Sequence, residues 1–163
     1  RLTRAIRDEE KLGSNIMNPF LDLSVAHVGD AHQKVAAEAM AVLHAAVNGF
    51  PSLVRPKLGA VLLALFHRLA DRRSAIRDQA NGLLNLARVK LDPVLIMASL
   101  SPKMGEIPDR MKTALMQFLG AIAPHCYDYF AQPSNTWPFL NRMSQQILRS
   151  GSSGGGGGGS SGG

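Results

Sequence analysis

The chain has 163 residues, 45% of them apolar, and 18 Lys and Arg against 12 Asp and Glu give a formal net charge of +6. Residues 151–163 are only Gly and Ser, so about 150 residues remain to build one domain with a genuine core. The longest apolar runs, such as residues 60–66, fall far short of the roughly 20 residues that cross a bilayer, which excludes a spanning helix and predicts no membrane partner.

The first amphipathic stretch covers residues 2–12 and reads as the second helix of a preceding hairpin. Its Asp8, Glu9 and Glu10 alternate with Arg4, Arg7 and Lys11, a pattern of pairing along one helix. A helix then runs from Asn18-Pro19 through Phe20, Leu21, Val25 and Val28. The turn "GDAHQK" follows, and after it Val35, Ala39, Val42, Leu43 and Ala46 fall at offsets 0, 4, 7, 8 and 11, one face of a 3.6-residue helix. Phe50-Pro51-Ser52 ends that helix. Leu58, Val61, Leu62, Leu65, Phe66 and Leu69 form the next apolar stripe, and beyond the turn "DRRS" the five offsets return at Ile76, Ala80, Leu83, Leu84 and Ala87.

Asp92-Pro93 opens a third hairpin, an acid suited to capping followed by a proline suited to the first helical turn. Its turn, "SPKMGEIPDR", is longer and holds Pro102 and Pro108. The offsets then recur at Met111, Leu115, Phe118, Leu119 and Ile122. The three copies start 41 and 35 residues apart, and each is preceded at five residues by an acid, namely Asp30, Asp71 and Glu106. Trp137 is read as the start of a last helix reaching residue 148, its ring covering the end of the stack.

No alternation of β-branched residues suggests strands. The predicted fold class is all-α, an α-solenoid of stacked antiparallel helical hairpins with about three complete repeats and half-repeats at both ends. Residues 1–149 form the domain; residues 150–163 are a flexible Gly/Ser linker or tag. Arg1 in first place, with no charged-then-apolar leader, reads as an internal fragment whose apolar ends meet neighbouring repeats of the parent chain. The single Cys126 leaves no disulfide framework and fits a reducing, cytoplasmic setting.

The five histidines show no i, i+4 pair and no completing acid or cysteine, so no metal is expected. His125-Cys126 reads as a packing cysteine beside a histidine, because sequence neighbours rarely turn their side chains toward each other. Gly29, Gly59, Gly82 and Gly105 are too far apart to cradle phosphate. No enzymatic activity and no cofactor is therefore expected, and attention passes to the turns, where bases collect. Lys34 belongs to the first; Arg72, Arg73 and Arg77 to the second; Lys103, Arg110 and Lys112 to the third. With every turn at the same end of its hairpin, stacking should align them as one cationic edge. Arg77 is expected to serve the structure by pairing with Asp71 or with another repeat's turn acid, leaving Arg72 and Arg73 for a partner.

The spacing in "DRRSAIR" resembles HEAT repeats, with an acid in the turn and then a branched apolar and a basic residue opening the second helix. More narrowly, "HVGDAHQKVAAEAM" and "RPKLGAVLLALFHRLADRRSAIRDQANGLL" look like TOG-type HEAT arrays of microtubule regulators. "LDPVLIMASLSPKMGEIPDRMKTALMQFLGAIA" is similar to later repeats of the CLASP (cytoplasmic linker-associated protein) branch. The resemblance spans about residues 26–123. It implies a non-enzymatic tubulin- or microtubule-binding module, cytoplasmic and cytoskeleton-associated, that works through its intra-repeat turns. Carried over by position, His32, Lys34, Arg72, Arg73, Lys103 and Arg110 would bind tubulin or another acidic protein surface. The alternative is a generic HEAT or armadillo-like scaffold that holds a peptide or helix. Nucleic acid is a weaker partner, since the bases lack interleaved exposed aromatics.

Overall fold

The computed structural model describes residues 18–151, with side chains up to residue 148, and every element among them is helical. The stretch 2–12, the tract 152–163 and their expected roles lie outside the described residues. Helix α1 covers 18–28 and α2 Gln33–Gly49. Helix α3 (Pro51–Val54), a 3-10 turn (Arg55–Lys57) and α4 (Leu58–Arg68) then follow in succession, before α5 (Ser74–Lys90). Helix α6 (Pro93–Leu100) passes into the 3-10 turns Ser101–Glu106 and Asp109–Met111, and α7 is Lys112–Ile122. A 3-10 turn at Ala123–His125 leads to the short α8 (Tyr127–Phe130) and the long α9 (Pro133–Gly151).

The stripes read from spacing for α4, α5 and α7 are faces that meet, whereas α2 buries Ala36, Met40 and Val47 beside Ala39, Leu43 and Ala46 and leaves Val35 of the expected set exposed. Leu58, Val61, Leu62, Leu65 and Phe66 of α4 are buried, as are all five template positions of α5. In α7 Leu115, Phe118, Leu119 and Ile122 are buried and Met111 is partly so. One apolar cluster runs from Leu21 to Phe139. Helix α5 packs on α4, its hairpin partner, and on α2; α4 also meets α6. Phe66 of α4 and Phe118 of α7 join the second and third hairpins edge to face, their ring centroids 5.6 Å apart.

Helix ends follow the local chemistry. Asp92 caps α6 with its Oδ1, which accepts hydrogen bonds from the Val94 N–H at 2.7 Å and the Leu95 N–H at 3.4 Å, with Pro93 in the first turn. Asp30 and Asp71 repeat one device: each carboxylate accepts from the backbone N–H two residues on, His32 at 2.7 Å and Arg73 at 3.0 Å. Glu106 does not repeat it and meets Lys103 instead, at 3.5 Å.

The last helix departs from expectation. It starts at Pro133, ahead of Trp137, and extends through Gly151; Pro138 sits inside it. Trp137 does not cover the core, being 72% exposed. The inward face is set by Phe139 and Met143, with Phe139 reached through the ring chain Tyr129, Phe130, Phe139.

Candidate partner-binding edge

The first two turns are clamped together by Arg68, at the end of α4. Its Nε donates to the Val28 carbonyl and its Nη2 to the Asp30 carbonyl at 2.6 Å, while Nη1 meets the Asp71 carboxylate at 2.9 Å. One guanidinium thus spends three donors joining the carbonyls that leave α1 to the acid that enters α5. Arg68 had no role in the sequence reading; its only trace there is its place three residues before a turn acid, at the carbonyl end of a helix.

Asp71 is part-buried and doubly served. Arg73 donates to it from both Nε, at 3.0 Å, and its own backbone N–H, and Arg68 lies on the other oxygen. The Arg73 guanidinium, with its backbone N–H and Arg68 in support, holds the carboxyl well below the usual range, at about 2. Asp30 is lowered as well, chiefly by the His32 N–H.

The bases of the second turn therefore divide into three roles. Arg77 has the structural role expected of it, but its partners are carbonyls and not an acid: its Nη1 donates to two backbone carbonyls, Asp71 at 3.0 Å and Arg72 at 2.9 Å, and so caps the turn. Arg73 is half-buried over Asp71, one acid accepting both its side chain and its main chain. Arg72 is exposed, and its side chain makes no hydrogen bond or ion pair among the described residues. His32 and Lys34, in the adjoining first turn, are exposed too. These four residues (His32, Lys34, Arg72 and Arg73) are brought to one edge by the Arg68 clamp.

The third turn does not continue that edge. Lys103 lies along Gly59 in the first turn of α4: a Cβ placed at Gly59 would stand 3.4 Å from Lys103 Cδ. Gly59 and Arg68 are nine residues apart on α4, roughly 14 Å at about 1.5 Å per residue, so Lys103 is far from the clamp. Arg110 is exposed within the same displaced turn. Lys112 is buried beneath α9, its Nζ donating to the Gln146 carbonyl at 2.6 Å and meeting Asp109 at 3.0 Å. Arg142 reaches Ser101 and Gln146 reaches the Met104 carbonyl, so α9 is riveted across the turn. The 3-10 geometry imposed by Pro102 and Pro108 and this docking helix together set the third turn apart.

Such an edge offers hydrogen-bond donors and positive charge to a carboxylate-bearing surface. Elsewhere, Cys126 is buried, its Sγ–H donating to the Ile122 carbonyl at 3.3 Å, and burial raises its thiol pKa, leaving it a thiol packed in the core. Among the described residues no three His, Cys, Asp or Glu side chains gather as a metal site. No described helix is long and apolar enough to cross a membrane. No family model, curated protein or solved structure matches the chain.

Proposed function

We propose that the chain is a HEAT-type, TOG-like stack of helical hairpins that binds tubulin or microtubules without catalysis, meeting their acidic surface with the edge formed by its first two turns. What supports this reading above all is the Arg68 clamp, which sets the unpartnered Arg72 beside the turn that carries His32 and Lys34. The net charge of +6 adds long-range attraction to an acidic partner. Arg73 contributes less, because Asp71 already neutralises it. Lys103 and Arg110, displaced from the clamp, fall outside the proposed edge.

A second reading has one observation in its favour. With Arg73 and Arg77 both committed to the turn itself, the bases serve as scaffold chemistry, and the molecule would be a generic helical scaffold for a peptide or helix. Reversing Lys34 and Arg72 together (Lys34→Glu, Arg72→Glu) separates the two, since neither side chain holds the fold. Tubulin co-sedimentation should drop about tenfold, the equivalent of roughly 1.4 kcal/mol, with the unfolding midpoint unchanged. Undiminished co-sedimentation of this folded variant would rule out the edge as the tubulin site.

A further inference from the structure

A cleft of about 270 Å³ opens between α5 and α7, floored by Phe66, Leu84 and Phe118 and rimmed by Asn81, Asn85 and Arg88 of α5 and Gln117 of α7. The 41-residue repeat shows what is unusual in it. One repeat earlier, Met40 and Val47 are fully buried on α2, the helix against which α5 packs. The same step along the chain carries them to Asn81 and Arg88, both exposed. Helix α7 does not close over α5 as α5 closes over α2, because the prolines after α6 and the crossing of α9 place the third hairpin differently. The polar residues left in the opening are unspent. The side chains of Asn81, Asn85, Arg88 and Gln117 make no hydrogen bond or ion pair among the described residues, whereas amides that serve packing do: Gln79 donates to the Ala37 carbonyl at 2.9 Å and Asn135 to the Tyr129 carbonyl at 3.2 Å.

We infer that this cleft binds an extended peptide segment presenting an apolar side chain and a carboxylate on one face. A carboxamide carries both donors and an acceptor, the complement of a peptide's own C=O and N–H. Asn81 and Asn85 stand four residues apart, about 6 Å along α5, and alternate residues of an extended strand, which offer these groups to the same side, are roughly 6.6–6.8 Å apart. A helical ligand has already paired those groups within itself and would leave the three amides idle. The aromatic floor, where Phe66 and Phe118 meet edge to face at 5.6 Å, takes the apolar side chain. Its volume is below the roughly 300–1,000 Å³ of a whole small-molecule site and suits one side chain. Arg88 takes the carboxylate, being the only charged side chain among the described lining residues. Asp78, exposed and three residues before Asn81 on the same strip of α5, repels an acid from the other end. The cleft occupies the second half of α5 and the clamped edge lies at its start, so this inference stands whether or not tubulin binds there.

Chemical-shift mapping of the full chain by NMR tests it. The probe is a short Ser/Thr peptide, amidated at its C-terminus, that holds one Leu and one Glu two residues apart and is made in both orders. The better order should shift the amide resonances of residues 81–88 and 114–118 saturably, and replacing its Glu by Gln or its Leu by Ser should weaken binding about tenfold. In the protein, Arg88→Gln should weaken the Glu peptide about tenfold and leave the Gln peptide as it was, a split that a merely structural role would not produce. Asn85→Ala should weaken both peptides alike. Absence of saturable shifts in the cleft, equal losses for the two peptides on Arg88→Gln, or unchanged affinity on Asn85→Ala would overturn the inference. Tighter binding of a helix-stapled form of the peptide, or of one whose terminal carboxylate replaces the Glu, would overturn it equally.

Discussion

Arg68 shows how much one side chain decides when its partners are backbone carbonyls. It is a half-buried cation satisfied by two carbonyls of the first turn and one carboxylate of the second. Arg68→Met keeps the aliphatic stem but leaves Asp71 short of a donor and strips both carbonyls of theirs, a loss of about 2–4 kcal/mol that urea unfolding would register as a lower midpoint. Arg72→Ala, at an exposed and unpartnered site, should stay within about 0.5 kcal/mol of the parent. Asp71 adds a pH dependence of definite sign. Its folded pKa, about 2, is below the roughly 3.9 of an unfolded chain, so its contribution is complete above pH 4 and disappears as the pH falls through 2. In thermal melts Asp71→Asn should lower the midpoint at pH 7 and converge toward the parent by pH 2. From the sequence, Asp71 was legible as a turn acid because its bonds to the Arg73 N–H are local. Arg68 was not, because its carbonyl partners lie 38 and 40 residues away and carbonyls have no signature in a sequence.

At the scale of elements, the stripes of α4, α5 and α7 were readable since a 3.6-residue period fixes which side chains share a face, whatever that face later meets. Helix α6 was marked by its Asp92-Pro93 start, although nearly every residue in it is apolar; it is surrounded by α4, α7 and α8. Its closeness to α4 depends on Gly59. A Cβ there would come within 2.7 Å of the Ser99 carbonyl, a backbone atom that moves only if α6 moves. Gly59→Ala should therefore destabilise by about 1–3 kcal/mol, despite alanine's better helix propensity. Gly82→Ala, in the middle of α5 with nothing near the added methyl, should instead stabilise by roughly 0.5–1 kcal/mol. Opposite signs for the same substitution in two helices, measured by calorimetry, would locate the close α4–α6 approach; a stabilised Gly59→Ala would contradict it.

Across the whole molecule, the distribution of charge matters more than its sum. Of the bases assigned to the three turns, Arg77 is consumed by the turn, Arg73 by Asp71 and Lys112 by α9, leaving Lys34 and Arg72 to project a field from the clamped edge. With a Debye length of about 10 Å at 0.1 M salt, the proposed tubulin binding should weaken steadily as ionic strength rises, and the doubly reversed variant should show a flatter salt dependence.

The sequence by itself determined the all-helical content, the buried faces of α4, α5 and α7 and the acids that start α2, α5 and α6, because periodicity and capping are set by backbone geometry within a few residues. Only the tertiary structure decided which turns adjoin. A single edge through all three turns assumes equal steps between hairpins, and the prolines after α6, the Gly59 contact and the crossing of α9 make the third step different. Which bases stay free for a partner follows from those rigid-body placements, since a cation's nearest acceptor is chosen by how whole helices pack and not by its neighbours along the chain.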